Sequence, residues 1–122
     1  MSKQLDDPAR RCLPVAEWPE VDRAAWQRAL LAARGPFRED GGGPSRSPAS
    51  IRKYQGGYGR WLGFLAHIGD LAPSEIPAKR PTPARLDQYF DHLCRCGNAD
   101  YTIVGRFAEL RAALQMMTPG RR

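Results

Sequence analysis

The sequence predicts an all-α protein of four helices around one core. Three observations predict it. Apolar residues recur at intervals of three and four along four segments, and no run of period-two alternation competes with them. Two segments open on a Ser/Thr-Pro pair, Ser47-Pro48 and Thr82-Pro83, in which a capping oxygen precedes a residue whose φ is already helical. Gly- and Pro-rich stretches separate the segments, and there is no internal repeat.

In chain order, residues 1–16 are expected to form a flexible N-terminal arm and residues 17–118 the helical domain. "WPEVDRAAWQRALLAAR", residues 18–34, is the first helix. Pro19 suits its first position, and Glu20 and Asp22 suit the positive end of its dipole. Trp18, Val21, Ala25, Trp26, Ala29, Leu30 and Ala33 lie near one face. Gly35-Pro36 stops it, and residues 35–50 form a Gly/Pro/Ser-rich loop. The second helix runs from Pro48 to about Ile68 and ends at Gly69. "DLAPSEIPAKRP" is a second loop, broken by its prolines. The third helix, Pro83 to about Arg95, is expected to bury Leu86, Tyr89, Phe90 and Leu93, and Gly97-Asn98 ends it. Asp100 is placed to cap a fourth helix that buries Ile103, Phe107, Leu110, Leu114 and Met117 and stops at Pro119-Gly120.

At 122 residues the chain has room for one small domain, and its formal charge of +6 with a pI near 9.7 points to an acidic partner, nucleic acid or an anionic membrane. Sixteen arginines stand against three lysines, a bias that suits bidentate contacts to phosphate and guanine. A genome rich in Ala, Gly, Pro and Arg would produce the same excess. The opening "MSKQLDDPARRC" has no apolar segment of a signal peptide, and no apolar run approaches the roughly 20 residues of a membrane span. Three cysteines, an odd number, suit a reducing cytoplasm better than a disulfide framework.

The second helix contains "SIRKYQGGYGRWLGFLA", with four glycines that each cost roughly 0.5–1 kcal/mol relative to alanine in a helix. On a helical wheel Ile51, Tyr54, Tyr58, Trp61, Leu62 and Leu65 share one arc, the core face. The opposite arc carries Arg52, Lys53, Gly56, Gly59, Arg60, Gly63 and His67, with Gly57 at its edge. No Asp or Glu occurs from Gly41 through Gly69, while Arg46, Arg52, Lys53 and Arg60 are positive. A flat, cationic, acid-free face with glycines opposite the core would admit a phosphate backbone or major groove. The competing reading is a solvated face with tolerated glycines. Near the start of the fourth helix, Thr102, Gly105 and Arg106 lie off the core stripe, where free N–H groups and the dipole favour phosphate. Taken alone, these residues are better accounted for by an ordinary first turn with an exposed Arg.

Other constellations carry little. Cys94 and Cys96 form a lone C-x-C pair on different sides of a helix, so no metal site is expected. His67 has no carboxylate or nucleophile beside it in sequence and is expected at the surface or rim. The Trp and Tyr residues have core spacing. Gly41-Gly42-Gly43 lacks the Lys-Ser/Thr of a phosphate loop.

Four stretches resemble the N-terminal, core-binding part of the tyrosine recombinase (phage integrase) family: "WPEVDRAAW", "SIRKYQGGYGRWLGFL", "RPTPARLDQYFDHL" and "YTIVGRFAELRAAL". "MMTP" is similar to the approach to that family's interdomain linker, which would begin at residues 119–122. The resemblance spans about residues 14–119 in the family's order. It implies a four-helix SAM-like orthogonal bundle forming one jaw of a clamp around double-stranded DNA, with the second and fourth helices toward the major groove. The family's DNA-contacting role then falls on Arg52, Lys53, Gly56, Arg60, Thr102, Gly105 and Arg106. The family's chemistry lies in a separate C-terminal domain that this chain, ending at Arg122, does not include. The expectation is a noncatalytic DNA-binding module, bacterial and cytoplasmic, with no cofactor, metal, membrane or small-molecule substrate. "HLCR", residues 92–95, spells the family's catalytic His-x-x-Arg but lies within the third-helix match, so His92 is expected to be a helix-surface residue. The alternative is a protein-interaction or oligomerisation bundle of a truncated recombinase, meeting other protomers through the first helix and Leu31.

Overall fold

A computed structural model describes residues 11–34 and 47–118 and, as expected, is all-helical there, with no strand among the described residues. A 3-10 turn at Val15–Glu17 leads into α1 (Glu20–Arg34); α2 (Pro48–His67), a second 3-10 turn (Pro77–Lys79), α3 (Pro83–Arg95) and α4 (Asp100–Met117) follow. The first ten residues of the expected arm, most of the expected 35–50 loop with Arg46, and the expected linker at 119–122 lie outside the described residues.

Local chemistry sets most helix ends where the sequence places them. Ser47 Oγ accepts the Ser50 N–H at 3.1 Å and Thr82 Oγ1 accepts the Arg85 N–H at 3.2 Å, each with proline at the first helical position. Gly69 and Gly97, with φ of 75° and 82°, turn the chain out of α2 and α3 in the left-handed region that glycine adopts without penalty. Two starts differ. Pro19 lies just ahead of α1, and Ala99 occupies the N-cap of α4 with no side-chain hydrogen bond. Asp100 is instead the first residue of α4, where its charge meets the positive end of the dipole.

α4 packs on α1, α2, α3 and the Pro77–Lys79 turn, and this explains its pattern. Its buried residues Ile103, Glu109, Leu110, Ala113, Met116 and Met117 spread over a wider arc than the single stripe expected, and Phe107 and Leu114 are only half-buried. Around it the aromatic side chains interlock, with ring centroids 5.1 Å apart for Trp18–Tyr58, 5.2 Å for Trp61–Tyr89 and 5.0 Å for Phe64–Tyr89. α3 faces this cluster through Tyr89, His92 and Leu93. Phe90, expected in the core, is 50% exposed, and His92, expected on the surface, is buried against Phe64 and Tyr89. The buried stripe of α3 runs through Tyr89, His92 and Leu93, so the imidazole, three residues after Tyr89, faces the core and Phe90 stands outside the stripe. His67, by contrast, is exposed as expected.

The core also contains a charged cluster. Asp22 and Arg80 are both fully buried. Arg80 donates to Asp22 through Nε at 3.0 Å and Nη2 at 2.7 Å, and the Tyr58 hydroxyl donates to the same carboxylate at 2.5 Å. Arg85 extends the system outward, donating to Asp70, to Glu75 and to the Arg80 carbonyl at 2.8, 2.9 and 2.9 Å. These bonds tie the connection between α2 and α3 to α1.

Burial, reinforced by Asp22, pushes the Tyr58 phenol well above its ordinary range, and burial does the same for Tyr89. In the unfolded chain both phenols ionise near about pH 10. Above that pH the unfolded state loses protons that the folded state keeps. Stability is therefore expected to fall by roughly 1.4 kcal/mol per pH unit for each tyrosine as the pH rises past about 10. Urea unfolding measured between pH 8 and 11 checks this. Tyr89→Phe should shallow the decline, and an unchanged slope would refute its part in it.

Candidate nucleic-acid interface

The glycines of α2 answer to neighbours within the fold. Every residue from Gly57 to Leu65 except Arg60 is buried, so this part of the helix is enclosed on most sides and has no single open face. A Cβ on Gly57 would collide with the Cβ of Glu109 on α4. One on Gly59 would lie 2.5 Å from the Leu13 carbonyl oxygen, and one on Gly63 would strike the carbonyl of Arg11. The assignment of Gly59 and Gly63 to an externally facing arc, with Gly57 at its edge, is therefore corrected. A wheel drawn for one helix identifies its largest apolar arc. It cannot register a second partner that approaches through backbone.

That partner is the segment Arg11–Leu13, which the sequence places in the arm. The Leu13 N–H donates to the Gly59 carbonyl at 3.1 Å, Cys12 Sγ lies 3.4 Å from the Gly56 carbonyl, and the Leu13 side chain is buried in the core. Trp18 Nε1 donates to the Leu13 carbonyl at 2.8 Å and closes the turn into α1. Residues 11–16 thus belong to the bundle.

The seven expected contact residues separate into groups. Arg52 and Lys53 are exposed on the first half of α2, with no ion-pair partner among the described residues. Gly56 and Gly105 are half-exposed. A Cβ at Gly56 would meet only the Arg60 guanidinium, at 3.5 Å, and one at Gly105 nothing within 4 Å. Thr102 is half-buried in the first turn of α4. Arg60 and Arg106, from different helices, converge on Glu109, each with an Nη1 to Oε1 distance of 3.7 Å. Glu109 is a residue that sequence reasoning missed. The α2 face is acid-free along its own helix, and its acid comes from α4, about fifty positions on in the chain. The only signal was indirect, a Glu three residues after Arg106.

Behind this pair opens a cleft of about 140 Å³, lined by Arg11, Arg60, Arg106, Tyr89, His92 and Asn98 among others. The two arginines retain 39% and 26% side-chain exposure, so their guanidinium groups reach solvent while Glu109, 8% exposed, anchors them from beneath. The 3.7 Å separations exceed hydrogen-bond length, which leaves guanidinium N–H donors available. The arrangement can receive anions. Among the described residues no group of three or more His, Cys, Asp or Glu side chains is placed to hold a metal ion, the three cysteines are free, and no helix is long and apolar enough to cross a membrane. No family model, curated protein or solved structure matches the chain.

Proposed function

We propose that this protein is a noncatalytic module that binds double-stranded DNA as part of an integrase-like recombinase, through the surface where α2 meets α4. The observation that carries the reading is the convergence of Arg60 and Arg106, from two helices, beside two half-exposed glycines, Gly56 and Gly105. Exposed Arg52 and Lys53 extend the positive surface along α2. Guanidinium groups held in place by one buried carboxylate lose less freedom on meeting phosphate than free side chains would. The SAM-like arrangement of the bundle and its place beside a recombinase catalytic domain belong to the same proposal and rest on the sequence resemblance.

Titration of the folded chain against mixed-sequence duplex DNA at two salt concentrations tests the reading. Affinity is expected to fall steeply with salt, and a double Arg52→Gln, Lys53→Gln variant should bind more weakly, with a log–log salt slope shallower by roughly 2. No binding at low salt would refute the proposal. Arg52 and Lys53 are cleaner probes than Arg60 and Arg106. Removing both of the latter strands the buried Glu109 carboxylate and lowers stability as well as affinity.

A second reading, a protein-interaction bundle, draws on exposed apolar side chains: Leu31 at 72% on α1, and Tyr101 at 82% and Val104 at 68%, one turn apart on α4. Sedimentation across a wide concentration range separates the two. A monomer throughout counts against self-assembly.

A further inference from the structure

The cleft behind Arg60 and Arg106 has features that a surface for duplex DNA does not require. It is concave and draws on three helices: Arg60 from α2, Tyr89 and His92 from α3, and Arg106 from α4. Arg11 comes from the segment seated against the α2 glycines. The Tyr89 side chain is 1% exposed, yet its hydroxyl has no hydrogen-bond partner. A buried hydroxyl without a partner normally costs stability, and a bound acceptor would satisfy it. Burial holds this phenol protonated, while the nearby Arg106 and Arg60 charges act in the opposite sense, so the hydroxyl sits within the field of both guanidinium groups. Acids also lie beside these arginines. Glu109 lies beneath Arg60 and Arg106 without hydrogen-bonding to either, and Glu17 pairs with Arg11.

We propose that this cleft is a binding site for a single phosphate group, held by Arg11, Arg60 and Arg106 with the Tyr89 hydroxyl as a buried donor. The cleft has room for a phosphate, and its guanidinium and hydroxyl donors match phosphate oxygens. The ligand is therefore either free inorganic phosphate or one phosphate projecting from a larger molecule such as a DNA strand. The site shares Arg60 and Arg106 with the duplex reading and does not depend on it.

The test is a titration of the full chain with inorganic phosphate at constant ionic strength, with chloride as control, read by the arginine side-chain and backbone amide resonances. Saturable shifts confined to the cleft are expected with phosphate and absent with chloride. Tyr89→Phe removes a hydroxyl that holds nothing within the fold, so it should leave folding intact and weaken phosphate binding several-fold. Arg106→Gln should weaken it more than tenfold. Equal responses to phosphate and chloride, or equal affinity in the wild type and both variants, would overturn the proposal. Competition identifies the source of the phosphate. If the cleft seats a phosphate of the DNA backbone, inorganic phosphate displaces duplex and Tyr89→Phe weakens duplex binding. If it takes free phosphate, Tyr89→Phe leaves duplex affinity unchanged. Lys53→Gln separates the two readings. It lies outside the cleft, so it should lower duplex affinity alone, and duplex binding without any phosphate response would remove this proposal and leave the other standing.

Discussion

Replacing Arg80 with alanine is expected to destabilise the protein by about 3–5 kcal/mol, since it leaves the Asp22 carboxylate buried without a counter-charge. Small domains have only about 5–15 kcal/mol of stability in total, so this single change brings the fold close to collapse. The geometry accounts for the size of the effect. Both side chains are fully buried, two guanidinium donors meet the two carboxylate oxygens, and Tyr58 adds a third hydrogen bond. Removing the whole cluster should cost far less than removing one member. The triple variant Asp22→Leu, Tyr58→Phe, Arg80→Met replaces the charges with apolar groups of similar reach, and such exchanges are often neutral or stabilising. Urea unfolding followed by circular dichroism distinguishes the two variants. Arg80→Ala within 1 kcal/mol of wild type would mean that water reaches the pair.

Alanine at the α2 and α4 glycines should divide them into two classes of opposite sign. At Gly105 and Gly56 an added methyl meets open space or the far end of a flexible arginine. These variants should gain roughly 0.5–1 kcal/mol from the better helix former. At Gly57 the methyl collides with Glu109 on α4, and at Gly63 with the Arg11 carbonyl. The helix–helix contact must widen in the first case. In the second the 11–13 segment must lift, with loss of the buried Leu13 side chain, worth about 1.5–3 kcal/mol. A net loss of about 1–3 kcal/mol is expected for each. A Gly63→Ala variant more stable than wild type would show that residues 11–13 do not rest on α2.

Those glycines also mark the boundary between what was legible in the sequence and what was not. Four helices, their order and most of their ends follow from local chemistry: a Ser or Thr oxygen within reach of an N–H three residues on, a proline with helical φ, a glycine free to adopt positive φ. None of these requires knowledge of distant residues. The main core follows too, because apolar spacing along one helix selects one arc. Trp26, Tyr58, Trp61, Leu65, Tyr89 and Leu110 all lie where that spacing puts them.

Whatever depends on a second partner was decided by tertiary structure. The glycines of α2 resemble a surface because they lie opposite its apolar arc, and only the docked Arg11–Leu13 backbone and Glu109 of α4 show that Gly57, Gly59 and Gly63 are interior. Asp22 has the position of an ordinary first-turn acid, and only its meeting with Arg80, fifty-eight residues away, makes it the centre of a buried charged cluster. The sequence presents Arg60 and Arg106 separately, on two helices. Their shared carboxylate, and the cleft they line with Tyr89, exist because α2 and α4 approach closely at Gly57. Helix ends and single faces are short-range consequences of dihedral preference and periodicity. Close approach, charge pairing and concavity are properties of pairs of elements, and they come into being only when those elements pack.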